Sequence, residues 1–150
     1  MIEFTRFEAE ASAADEEFLY RCLLELNDGL VRHRSTFGTF IREALASDAA
    51  SELLIAAANG QQIGTVTVNR FAMPRYVGFG YEIQEIVVAP AHRSKGFGRQ
   101  MLTAVVTRYA ALASTRKVVV RSNDPASQAL YARVYTASDL QTFQQFVHKV

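Results

Sequence analysis

The sequence predicts a single mixed α/β domain over residues 1–150, and three observations carry that prediction. Its periodic segments run in the order β, α, α, β, β, β, α, β, α, β. Between residues 81 and 121, a strand, a glycine-containing loop, a helix and a second strand form a βαβ unit, which calls for a right-handed crossover and two parallel strands. With 150 residues, 49% of them hydrophobic, the chain can bury one real core, and no shift in composition marks a second domain.

The elements follow in order. "IEFTRF" alternates as a first strand, and "SAADEEFLYRCLLEL" reads as a helix with Ser12 as N-cap and Phe18, Cys22 and Leu26 along one stripe. "STFGTFIREALAS" is a second, weaker helix. "ELLIAAA" and "IGTVTVNRF" flank the turn "NGQQ" and read as a β-hairpin, because Asn59-Gly60 supplies the positive φ angles of a tight turn. "YEIQEIVV" is a strand that alternates at first and turns apolar on both faces at its end. A long helix from Gly98 to Leu112 repeats apolar residues at Met101, Leu102, Val105, Val106, Tyr109 and Leu112. "RKVVVRS" is the next strand, Asp124 and Pro125 open the helix "PASQALYARV", and "QTFQQFVHK" closes as a strand.

Composition excludes several classes of function. Sixteen basic and fifteen acidic residues leave a net charge of +1, so no global field favours nucleic acid or an anionic membrane. The acids in "MIEFTRFEAE" are unlike a signal peptide, and no apolar run approaches the ~20 residues of a membrane helix, so a cytoplasmic protein is expected. Cys22 is the only cysteine, which rules out a disulfide within the chain, and its apolar setting makes it a poor nucleophile. His33, His92 and His148 show no paired ligand spacing, so no metal is expected.

The informative stretch is "VVAPAHRSKGFGRQML", residues 87–102. It lies between the carboxyl end of a strand and the start of a helix, where backbone N–H groups lack partners and the helix dipole favours an anion. Gly96 and Gly98 permit close approach to the main chain, while Arg93, Lys95 and Arg99 put charge around the rim. A phosphate or pyrophosphate fits such a turn. The dinucleotide pattern G-x-G-x-x-G fails at Met101, and "GFGRQ" lacks the Gly-Lys-Ser or Gly-Lys-Thr end of a nucleoside triphosphate loop. A tight turn with solvated cations is the plainer alternative.

Arg93-Ser94-Lys95-Gly96-Phe97-Gly98, three residues after Pro90 and following "IVV", resembles the acetyl-CoA motif R-x-x-G-x-G of the GCN5-related N-acetyltransferases (GNAT). The family's order of elements matches most of the chain. The resemblance implies a mostly antiparallel sheet whose two central parallel strands, "YEIQEIVV" and "KVVVRS", splay apart at their carboxyl ends. It implies acetyl-CoA as co-substrate, with the pantetheine arm in that gap against main chain at Ile86, Val87 and Val88. The pyrophosphate would lie on Arg93, Ser94, Lys95, Gly96, Phe97 and Gly98, beside Arg99, with Asn123 and Asp124 near the arm. Asp124 can equally do no more than cap its helix.

Acetyl transfer to an amine needs a base, because an alkylammonium is mostly protonated at neutral pH. Glu82 and Glu85 are the candidates, and they fall on opposite faces of an ideal strand unless a bulge intervenes. "IQEIVV" resembles the polyamine-acetylating branch, with its acid at Glu85, whereas the histone-acetylating branch has a glutamate at the position of Glu82; Glu85 is favoured. Each can instead be an ordinary polar residue of a half-exposed strand. Tyr131 matches the family tyrosine that protonates the leaving thiolate, and otherwise reads as a core residue on an amphipathic helix. Many relatives follow that tyrosine with Gly-Phe, where this chain has Tyr135 and Thr136, and "LYARVYTASDLQTFQQFVHK" resembles the branch that includes acetylases of small amines.

Arg32, His33 and Arg34 form a basic cluster that reads as a solvated face. "NRFAMPRYVGFGY", residues 69–81, reads as a lip over the acceptor site or as a hairpin at a dimer interface, and with the exposed strand edges it makes a homodimer an expectation. The expected activity is acetyl transfer from acetyl-CoA to a primary amine of a small molecule. The alternatives are acetylation of a protein N-terminus, a lysine or an aminoacyl-tRNA, and an acyl-CoA-binding module without catalysis. Near-neutral charge weighs against the tRNA version.

Overall fold

The structure is a computed structural model that describes residues 1–26, 28–120 and 125–134. Its strands are β1 (Ile2–Arg6), β2 (Ser51–Ala58), β3 (Gln61–Met73), β4 (Gly78–Val88) and β5 (Thr115–Val120), and its helices are α1 (Ala13–Leu24), α2 (Arg34–Thr39), α3 (Phe97–Ala110) and α4 (Pro125–Tyr131). The order matches the sequence reading as far as α4; the strand expected in "QTFQQFVHK" and the residues Asn123 and Asp124 lie outside the described residues. None of the described helices is long and apolar enough to cross a membrane.

The five strands form one sheet in the order β1-β2-β3-β4-β5, antiparallel except for the parallel pair β4–β5. Asn59 and Gly60 take φ of 49° and 75° and close the β2–β3 hairpin as a turn with two left-handed residues must. Both sheet faces are covered, which is why four consecutive residues of β2, Leu53 to Ala56, are buried. On one face Leu54, Val66, Val68, Tyr81 and Ile83 pack with Met101, Leu102, Val105 and Tyr109 of α3. On the other, Leu53 and Ile55 pack with Phe7, Leu19, Tyr20, Phe37 and Ile41 from the α1–α2 side.

Several expectations need correction. α1 begins on the expected Ser12 cap, whose Oγ accepts from Asp15 N at 3.1 Å while Asp15 answers Ser12 N at 3.3 Å. It ends at Leu24, however, so Leu26 lies beyond the helix and is exposed; the buried side is Leu19, Tyr20 and Cys22 instead of the Phe18–Cys22–Leu26 stripe. α3 likewise stops at Ala110, which leaves Leu112 outside the core. The second helix starts at Arg34 after a 3₁₀ stretch, Asp28–His33, and continues past Thr39 as a π-helical turn, Phe40–Leu45. Arg32, His33 and Arg34 are exposed, as a solvated face requires, and Arg34 in addition pairs with Glu17 at 2.6 Å and stacks on the Tyr20 ring at 4.4 Å, fastening α2 to α1. Residues 69–81 are mainly a continuation of the β3–β4 hairpin, turned by a 3₁₀ segment, Pro74–Tyr76.

Candidate functional site

The site is built on an irregularity in β4. Thr67 pairs with Glu85 but the next residue of β3, Val68, pairs with Ile83, so Gln84 is an extra residue without an opposite number. Ile83 and Ile86, three apart, therefore both face the α3 core, and Glu82 and Glu85 both project from the opposite face. This settles the question of faces left open by the spacing of two glutamates. Glu85 is exposed and accepts from Thr67 Oγ1 at 3.0 Å; Glu82 lies opposite Asn69 and is half-buried. Beside them the Phe71 ring lies across Gly80, where a Cβ would have to displace it.

β4 and β5 pair in parallel from Phe79 and Thr115 to Ile83 and Val120, the last residue of β5 that is described. On the other side β3 pairs with Glu85 to Val88 through Thr67, Val66, Thr65 and Gly64. The carboxyl end of β4 at Ile86 to Val88, the loop before α3 and the helix α4 border one region, the opening. At its mouth, Val88 leads through a 3₁₀ turn, Pro90–His92, into the loop before α3.

In that loop Ser94 and Gly96 hold φ of 61° and 79°, and Gly96 serves as N-cap of α3 without any side-chain cap. Gln100 N makes a helical bond to Gly96 O at 3.2 Å, so the amides of the first turn, Phe97 to Arg99, precede the point where helical acceptors begin. Gly98 faces the opening: a Cβ there would lie 3.6 Å from Leu130 of α4 and 3.7 Å from Val88. The three cations of the loop differ. Arg93 is bound by Nε to Val88 O at 3.1 Å and by Nη2 to Glu25 at 2.8 Å, and Lys95 folds back on Ala91 O at 2.9 Å. Arg99 makes no hydrogen bond or ion pair among the described residues and remains available to a ligand. His92 meets the Phe97 ring edge-on at 6.0 Å and helps shape the loop.

Tyr131 ends α4 and packs, with Leu130 and Val134, against the α3 core, on the sheet face opposite the two glutamates. The two base candidates and the candidate proton donor therefore sit on opposite faces of the sheet. Cys22 is buried, and burial followed by the nearby Glu25 carboxylate pushes its thiol up to about 11, which removes it as a nucleophile. No group of three metal-ligating side chains is present among the described residues. Sequence reasoning did not single out Gln84, Phe71 or Glu25. Only Gln84 left a signal, in the apolar spacing Tyr81, Ile83, Ile86, Val88.

A family model described as Acetyltransferase (GNAT) family matches residues 14–135. Among solved structures, a ribosomal-protein-alanine N-acetyltransferase from Brucella melitensis biovar Abortus 2308 is 22% identical with a TM-score of 0.74, each chain covering 100% of the other. An aminoglycoside acetyltransferase from an uncultured soil metagenomic sample, in complex with sisomicin, is 15% identical with a TM-score of 0.73 over 99% of this chain and 96% of that one. A transcriptional regulator from Bacillus halodurans C-125 is 17% identical with a TM-score of 0.69 over 97% of this chain and 100% of its own. No curated protein matches the sequence at a significant level.

Proposed function

Because the chain belongs to the acetyltransferase (GNAT) family, whose co-substrate is acetyl-CoA, we propose that it acetylates a primary amine of a small cationic molecule. The observation that carries this reading is the bulge at Gln84, which sets two carboxylates on one face of β4 just before its carboxyl end.

The residues present suit the co-substrate. Its pyrophosphate would meet the backbone amides from Ser94 to Gly98 and the Arg99 guanidinium, since left-handed residues before a helix start turn successive N–H groups toward one anion. Main chain at Ile86 to Val88 would meet the amides of the arm along the opening. When bound, acetyl-CoA supplies an activated acetyl thioester. Arg93 and Lys95, the motif's other cations, donate to the carbonyls of Val88 and Ala91 and add positive charge around the rim of the loop.

On the acceptor side Glu85, or Glu82 behind it, removes a proton from the incoming ammonium nitrogen, directly or through water. Thr67 holds Glu85 by its hydroxyl and fixes the direction of the carboxylate. Tyr131 carries a hydroxyl that is suited to deliver its proton to the departing sulfur. Two carboxylates and the exposed aromatic Phe71 on one face favour an acceptor with positive charge and an apolar body, a chemistry in keeping with the polyamine-like branch and with the aminoglycoside-acetylating neighbour.

The test is a coupled thiol-release assay with acetyl-CoA against polyamines, aminoglycosides, amino acids and alanine-terminated peptides. Turnover with a multiply charged amine, lost by more than tenfold in kcat in E85Q or E82Q while acetyl-CoA binding persists, is the expected result. Turnover restricted to the peptides would replace the small-molecule reading, and binding without any turnover would favour a cofactor-sensing module.

A further inference from the structure

Glu25 caps the carboxyl end of α1, on the side of the sheet away from α3, yet its carboxylate reaches the cofactor loop. Its Oε2 accepts from Arg93 Nη2 at 2.8 Å across 68 positions of sequence, and the same guanidinium donates through Nε to Val88 O at 3.1 Å. One guanidinium therefore ties together the end of α1, the end of β4 and the entry to the left-handed turn at Ser94. A planar fork with two directions of hydrogen bonding is suited to such a junction, because it fixes orientation as well as distance.

From this geometry we propose that Glu25 is a positioning residue for acetyl-CoA: through Arg93 it braces the loop whose amides receive the pyrophosphate. The proposal rests on the acetyltransferase reading. The contrary role is that Arg93 is itself a phosphate ligand, and Glu25 withholds it. The two differ in sign. A brace, once removed, weakens acetyl-CoA binding, whereas a competitor, once removed, strengthens it.

The experiment compares wild type, E25Q, E25D and E25Q in an R93M background, with acetyl-CoA and with acetyl-pantetheine, which lacks the pyrophosphate. A brace predicts that E25Q raises KM for acetyl-CoA about two- to fivefold, the range of an exposed ion pair, with kcat held. KM for acetyl-pantetheine should not change, E25D should recover part of the loss, and E25Q should add nothing once Arg93 is replaced. Tighter acetyl-CoA binding in E25Q, an equal loss on both thioesters, or no change at all would overturn the proposal. A wild type that fails to bind acetyl-CoA would overturn the acetyltransferase reading and this inference with it; an active wild type with an indifferent E25Q overturns only the brace.

Discussion

Replacing Gly98 by alanine should stabilise the fold and damage the site at once. Gly98 is the second residue of α3, and the added Cβ would sit in ordinary contact, 3.6 Å from Leu130 Cδ2 and 3.7 Å from Val88 Cγ2. Nothing in the protein has to move. Alanine in place of a helical glycine is worth about 0.5–1 kcal/mol, less toward the helix end, and for a domain of this size that raises Tm by about 1–4 °C. The same methyl points into the opening where the arm and pyrophosphate are proposed to lie. If it displaces the ligand from one backbone N–H, a bond to a charged oxygen worth roughly 1.5–3 kcal/mol is lost, about ten- to hundredfold in Kd. Differential scanning fluorimetry and isothermal titration with acetyl-CoA read the two effects separately. Gly96→Ala is the contrast: its nearest neighbour, Gln100 Nε2, is 3.8 Å away, but φ of 79° makes alanine cost roughly 1–2 kcal/mol, so Tm should fall. A G98A protein that keeps the wild-type Kd for acetyl-CoA would refute the assignment of this loop.

Three further outcomes follow from the packing and the charges. Gly64→Ala should destabilise by about 1–3 kcal/mol in urea unfolding, because its Cβ would run into the Val87 carbonyl oxygen and lie 2.8 Å from Met101 Cε, prying β3 from β4. Ser12→Ala should cost about 1 kcal/mol through loss of the α1 cap. Its hydrogen bond also holds Asp15 below the ordinary carboxylate value of 3.8, so this stabilisation is present above that pH and lost as pH falls through the lowered value; the gap between wild type and variant should close in acid melts. Tyr109 donates to Glu52 at 2.7 Å, and burial, then that bond, raises its phenol pKa. Stability from the neutral phenol is complete below pH ~10 and declines as pH rises beyond it, so Tyr109→Phe should cost about 1–2 kcal/mol near neutrality and flatten the alkaline fall.

Most of the architecture was legible because local patterns and tertiary demands agree. Asn59-Gly60 can close a hairpin wherever it occurs, and Met101, Leu102, Val105 and Tyr109 form one stripe at any helical geometry. Element ends were less legible: Leu26 and Leu112 continue their stripes in sequence, yet each helix stops before them. Of the site, the loop around Gly96 could be read as an anion turn from its residue types, and β4 carried the two glutamates in plain view.

The sequence by itself determined the order of elements, the glycine turn before α3 and the pool of candidate groups, since each depends on neighbours within a few residues. Tertiary structure decided how those groups are placed. Whether Glu82 and Glu85 share a face depends on one unpaired residue, Gln84, and a bulge is defined only by the partner strand that fails to match it. How each loop cation is held depends on Glu25, Val88 and Ala91, which engage Arg93 and Lys95, whereas Arg99 makes no hydrogen bond or ion pair among the described residues. A charged side chain acts through the groups within a few ångströms of it, and for Arg93 one of those lies 68 positions away.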